Sequence, residues 1–362
     1  MMNALHFLAA VVAQVPQSAD VPVVRTVAEV LDLREGEVVL KDFRFHDGET
    51  MPDLRMHYTT LGQRHRDGSG VIDNAIMILH GTGGDGKQFL RPQFAAELYG
   101  PGQPLDIRKY WIILPDNIGH GKSSKPSDGL RMKFPKYDYA DMVVAQHAML
   151  QQLGVTQLRL VMGTSMGCMH SFMWGEMYRG FAHAIMPLAC EPIEIAGLNR
   201  MWRRMLIDGI EKDPAWNEGN YASEPEQGLR TATSILVIAG SAPLNFQKTY
   251  PTREAADAHA EEAVSHYIGE LDANDTIYQF DSSRDYNPWP DLEKITVPLT
   301  WVNSADDFIN PRNLPVPEQA VKRMKSARFR LIPETSETHG HGTHTWAAFW
   351  KQDLSELLAR SR

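Results

Sequence analysis

Leu158-Arg159-Leu160-Val161-Met162-Gly163-Thr164-Ser165-Met166-Gly167 is the stretch on which the fold turns. An apolar run of strand length ends at Gly163, and a helical stretch, Cys168–Tyr178, follows Gly167. A G-x-S-x-G at a strand-to-helix junction forces a sharp turn with the serine at its tip. Glycines are needed there because side chains would collide with neighbouring backbone. The Ser165 hydroxyl then stands above a sheet, at the positive end of a helix.

Outward from this turn, other short apolar runs repeat the pattern. Ala75–His80, Trp111–Pro115, Ala184–Ala189, Pro298–Asn303 and Phe329–Pro333 read as buried strands. Each is continuous and apolar, as strands covered on both faces should be. Val38–Phe45 and Arg55–Leu61 read as an opening pair. Helical patterns such as Tyr139–Leu153, stopped by Gly154, lie between several of them. The alternation predicts an α/β fold, a mostly parallel sheet with helices on both faces. From Glu191 to about Pro290 the rhythm breaks. Helical patterns over Asn199–Lys212 and Arg253–Leu271, rich in Trp, Met and Tyr, predict a helical cap inserted into the core. The division expected is an N-terminal segment 1–37, a core of 38–190 and 291–362, and a cap of 191–290.

A serine hydroxyl is a poor nucleophile until a base activates it. After the late strand comes Asn303-Ser304-Ala305-Asp306-Asp307-Phe308-Ile309-Asn310-Pro311. An acid just past a strand end, four residues before a proline, selects Asp307 as the orienting carboxylate, with Asp306 as its rival. After the last strand comes Glu337-Thr338-His339-Gly340-His341-Gly342-Thr343-His344. His341, between two glycines and ahead of a final helix over Trp346–Leu358, is selected as the base. His339 and His344 are read as lining or capping the loop. A metal reading of the three is set aside, because nothing helical holds them. The oxyanion needs two backbone donors. Met166 follows the nucleophile, and the Gly-rich run His80-Gly81-Thr82-Gly83-Gly84 offers the Thr82 amide. That run lacks the spacing of a phosphate loop.

The 362 residues are 43% hydrophobic and 22% charged, ordinary globular composition. A formal net charge of -9 gives no electrostatic reason to bind nucleic acid. Two cysteines, Cys168 and Cys190, build no disulfide framework and sit in apolar stretches, so they read as buried small hydrophobes. Neither belongs to a C-x-x-C pair, which argues against zinc. Ala4–Val15 is apolar enough for the core of a leader peptide within 1–19, yet no Lys or Arg precedes it. Cytoplasmic and exported locations both stay open. No later stretch is long and apolar enough to span a bilayer.

These residues resemble the α/β-hydrolase superfamily and, more narrowly, the homoserine O-acetyltransferase family with its hydrolase relatives. Beyond the elbow, the likeness rests on Asp138-Tyr139-Ala140-Asp141-Met142-Val143 with Gln146 and on Asp116–Pro126. It rests also on Asp213-Pro214-Ala215-Trp216 with Gly219-Asn220-Tyr221, and on Pro225 with Gly228-Leu229. The resemblance implies an α/β-hydrolase fold, a Ser165–His341–Asp307 triad, no cofactor, a small-molecule acyl substrate, and an oligomeric state in which a homodimer is one option. It also implies a cap arginine, six residues before the D-P pair, that holds a substrate carboxylate. That position is Ile207 here; Arg203 and Arg204 lie most of a helical turn away, and A-R-M after the Gly-Leu pair is replaced by Ala232-Thr233-Ser234. The altered cap weighs hydrolysis of carboxylic esters above acetyl transfer from acetyl-CoA to homoserine, with a catalytically dead binding module as a remote third. Trp202, Met205 and Ile207 are then expected to line an apolar pocket, with Arg203 or Arg204 as substitute cations.

Overall fold

The computed structural model describes residues 31–361. The proposed leader and most of the N-terminal segment lie outside them. An eight-stranded sheet runs in the order β1-β2-β4-β3-β5-β6-β7-β8. The strands are β1 Arg34–Arg44, β2 Thr50–Leu61, β3 Ala75–Leu79, β4 Trp111–Pro115, β5 Leu160–Thr164, β6 Ile185–Leu188, β7 Leu299–Ser304 and β8 Ala327–Ile332. β1, β2 and β4 pair antiparallel; every other pairing is parallel. Strands β3 to β7 are buried at every residue, which explains their unbroken apolar runs. β1 and β2 alternate instead, because one of their faces meets solvent.

Helices α1 Pro92–Leu98, α2 Tyr139–Gln152, α3 Met166–Met177, α9 Val316–Arg323 and α10 Lys351–Arg360 cover the sheet. α2 begins with a capping box: Asp138 accepts from the Asp141 amide, and Asp141 accepts in return from the Asp138 amide. Two apolar clusters form, one on each side of the sheet: Met77, Ile113 and Val161 face Met142 and Phe172, while Ile76, Ile78 and Met162 face Phe94 and Leu354.

Between β6 and β7 run α4 Gly197–Glu211, α5 Glu226–Ala239, α6 Pro243–Thr249, α7 Arg253–Ile268 and α8 Ala273–Asp281. They bury a third cluster around Leu206, Ile210, Leu229 and Ile277. The D-P-x-W-x-x-G-x-Y signature holds this segment together. Asp213 accepts from the Ala215 amide and from Gly228, at the start of α5. The Trp216 indole, the Gly219 carbonyl and the Tyr221 hydroxyl all bond to Asn274 on α8.

Two expectations change. The final helix does not run unbroken from Trp346; a 3-10 turn over Ala347–Phe349 stops at Trp350, whose φ of -136° is not helical, and α10 starts after it. The two cysteines are not free hydrophobes: Cys168 and Cys190 form a disulfide across a Cα separation of 5.8 Å. One lies in the first turn of α3 and the other just past β6. β5 and β6 are sheet neighbours, so residues 22 apart in sequence meet at the same rim. No helix among the described residues is long and apolar enough to cross a membrane.

Candidate active site

The turn between β5 and α3 places Ser165 at φ 54° and ψ -112°, in left-handed territory that costs a non-glycine residue energy. It survives because its surroundings leave no alternative. A Cβ on Gly163 would strike the Gly167 carbonyl, and one on Gly167 would strike the Leu79 carbonyl. The backbone therefore passes where only glycine fits, and the serine is forced outward.

His341 Nε2 lies 2.8 Å from Ser165 Oγ, and its Nδ1 lies 2.8 Å from Asp307 Oδ2. The structure thus brings Ser165, His341 and Asp307 into one hydrogen-bonded chain from three separate strand-end loops. Asp307 is buried and also accepts from the amides of Ile309 and Asn310 and from the Asn310 side chain. Burial pushes its carboxyl upward, but the His341 charge and these donors outweigh it and hold it below the ordinary carboxylate range. Asp306 faces the other way. It accepts from Ser304, Thr338 and the Gly340 amide, and so braces the loop that carries the histidine.

The other two loop histidines have separate tasks. His339 stacks on Trp346 at 4.2 Å between ring centres. His344 donates from Nδ1 to the His341 carbonyl. Burial lowers His344 to about 3, so it is neutral at working pH.

Neither the Thr82 nor the Met166 amide has an acceptor among the described residues. Met166 opens α3, where first-turn amides lack helical partners. The Thr82 hydroxyl is buried and likewise unpartnered. Gln88 ties this loop to β5, accepting from the Gly81 amide and donating to Thr164 Oγ1 at 2.9 Å. A Cβ on Gly81 would lie 3.3 Å from the Ser165 Cβ, so the loop passes directly over the serine. Gln88 and Asn310 were not singled out by sequence reasoning. Asn310 could have been found as a short amide three residues past a loop aspartate, the spacing of a local turn; Gln88 carries no such signal.

The expected pocket residues do not share a surface. At about 100° per residue, positions 202, 205 and 207 of one helix point in different directions. Trp202 and Ile207 are buried in the helical cluster, whereas Met205 is 53% exposed. Arg204 is exposed and paired with Asp208 and Glu211. Arg203 is 2% exposed, but its partners are Asn199, Ser283 and the Trp202 and Phe280 rings, with no contact to the Ser165 chain.

A family model described as alpha/beta hydrolase fold matches residues 74–351. A homoserine O-acetyltransferase from Carboxydothermus hydrogenoformans is 28% identical over 349 residues, covering 84% of this chain and 89% of that one. The crystal structure of homoserine O-acetyltransferase from Bacillus anthracis superposes with a TM-score of 0.78 at 20% identity, covering 90% of this chain and 97% of that one. An acetylester hydrolase from Corynebacterium glutamicum superposes with a TM-score of 0.79 at 21% identity, covering 90% and 96%.

Proposed function

Because this chain belongs to the alpha/beta hydrolase fold family and is an acyl-transfer enzyme of that family, we propose that its chemistry runs through an acyl-enzyme on Ser165. The observation that carries the reading is the continuous Ser165–His341–Asp307 hydrogen-bond chain. Ser165 Oγ attacks the acyl carbon and its proton passes to His341 Nε2. Asp307 orients the ring through Nδ1 and stabilises its positive charge. The Met166 and Thr82 amides hold the oxyanion, each worth roughly 10²- to 10³-fold in rate. The intermediate collapses, and the leaving group takes the proton back from His341. An acceptor O–H then repeats the sequence and frees the serine. We read the helices of 191–290 as a cap over a core of 38–190 and 291–362, and assign the choice of acceptor to that cap.

For the acceptor, the first reading is a small hydroxyl compound of the homoserine class, acetylated from an acetyl thioester. Its support is the relative of that name matched over most of both chains. A second reading, with water as acceptor, is favoured by the apolar, buried Ile207 at the position where the resemblance places a carboxylate-binding arginine. Burying a substrate carboxylate without a cationic partner would cost several kcal/mol. The test is a parallel assay of the purified protein with acetyl-CoA plus homoserine and with p-nitrophenyl acetate. Homoserine-dependent release of CoA with O-acetylhomoserine as product supports the first reading. Ester turnover with no homoserine-dependent CoA release replaces it with the second. Failure of a fluorophosphonate to label Ser165 would remove both.

A further inference from the structure

A cavity of about 680 Å³ opens between the start of α4 and the segment just past α8, and none of Ser165, Asp307 or His341 lines it. Its volume is that of a small-molecule site. Arg200, Arg204, Arg284 and Ser283 line it, with Met201 and Met205 on an apolar wall. Both methionines are more than half exposed, although they lie on a helix whose other face is buried.

The charges here do not balance in the usual way. Arg204 is neutralised by Asp208 and Glu211, and Arg284 by Asp281 and Asp285. Arg200 forms no ion pair among the described residues, and its Nη1 is buried with no hydrogen-bond partner. Directly behind, Arg203 is buried with neutral partners only. Its Nη1 donates to Ser283 Oγ, at the cavity wall, at 3.3 Å. Burial pushes the Arg203 guanidinium down; the nearby Tyr139 hydroxyl opposes that fall, and the neighbouring Arg200 charge adds to it. A buried cation without an acid is costly and normally has a partner. The one acid at the cavity, Glu194, is exposed and pairs with neither.

We propose that this cavity binds an amphiphilic monocarboxylate, its head on Arg200 with Arg203 behind and its tail along Met201 and Met205. A planar carboxylate suits a guanidinium fork, and charge-assisted bonds of this kind are about twice as strong as neutral ones. Glu194 at the same rim disfavours a second negative charge on the ligand, which selects a carboxylate over a phosphate dianion. The site goes beyond the acyl-transfer reading and does not rest on it.

The test uses the full chain with Ser165 blocked by a fluorophosphonate, so that the acyl site cannot contribute. Calorimetric titration with octanoate should show saturable one-to-one binding. Arg200→Gln should weaken it by about tenfold or more, the size of a lost charge-assisted bond. Met205→Asp, at an exposed position where folding is not at stake, should weaken it comparably; thermal melts confirm that both variants fold. The site is overturned if octanoate shows no saturable binding, if 1-octanol or inorganic phosphate binds as tightly, or if both variants bind octanoate like the parent. Were unlabelled Ser165 to refute the acyl-enzyme, the titration would proceed on unmodified protein and its outcome would stand alone.

Discussion

The rim of the sheet and the helical segment between β6 and β7 treat buried charge in opposite ways. At the rim, Asp307 accepts four hydrogen bonds, one of them from His341, and nothing around it is left to chance. In the helical segment, Arg203 is as deeply buried but is met by an amide, a hydroxyl and two rings. A fully committed charge fixes one geometry and suits a step common to every acyl transfer. An uncommitted charge can still accept a partner from outside. Under the proposed function, the contrast places chemistry at the rim and selectivity in the helices.

The hardest blow to this contrast falls on the nucleophile. Ser165→Ala should lower turnover by about 10⁴-fold or more with the melting temperature nearly unchanged, since His341 would have nothing left to activate. Near-normal turnover in a clean preparation would break the assignment of chemistry to the rim. His341→Ala should match that loss, and His339→Ala, which removes only a stacked ring, should fall far short of it.

Asp307→Asn should cost about 10⁴-fold in kcat through the wrong imidazole tautomer. Asp306→Asn loosens the histidine loop without touching the ring, and a loss near tenfold is expected. Steady-state kinetics of the two variants side by side measure how sharply the rim separates orientation from bracing. Equal losses would erase that distinction.

Stability should respond more evenly across the two regions. Reducing the Cys168–Cys190 bond, or replacing both cysteines with serine, should cost about 3 kcal/mol in the loop-entropy model for a separation of 22 residues. Asn274→Ala removes the side-chain amide that accepts from the Trp216 indole and donates to the Gly219 carbonyl, while the backbone amide keeps its bond to Tyr221, and a loss of roughly 1–3 kcal/mol in denaturant unfolding is expected. If Asn274→Ala leaves stability unchanged but alters KM, the helical signature serves the acceptor rather than the packing.

A further effect on stability concerns pH. Burial, aided by the Asp307 charge, raises Glu191 to about 9, so the folded protein keeps a proton that the unfolded chain releases near the ordinary value of 4.5. Its contribution is therefore full below about pH 4.5 and fades as pH rises toward 9. Glu191→Gln should flatten the fall in melting temperature between pH 6 and 9. An unchanged slope would mean that Glu191 is ionised beside Asp307 in the native state.

The Ser165–His341–Asp307 hydrogen-bond chain was legible because each member sits where a strand ends. Local pattern marks such places: glycines around Ser165 and His341, and a proline four residues past Asp307. The sheet was legible for a similar reason, since burial on both faces writes itself as unbroken apolar runs. Partners chosen by tertiary approach were not. Cys168 and Cys190 meet only because β5 and β6 adjoin, and no spacing rule announces a pair 22 residues apart. Asn274 binds residues more than fifty positions upstream. The directions of Trp202, Met205 and Ile207 were misjudged by grouping neighbours in sequence, when helix geometry scatters them.

The disulfide has a consequence for where and how the protein can be made. Such a bond persists in oxidising surroundings, and glutathione-buffered cytosol keeps most thiols reduced. Chain produced in a reducing host would carry two thiols, one of them three residues from the nucleophile. Two preparations of identical sequence could then differ in heat tolerance and in reaction with thiol-directed reagents, while a purity gel shows one band for both. Counting free thiols before any kinetic comparison tells the two apart.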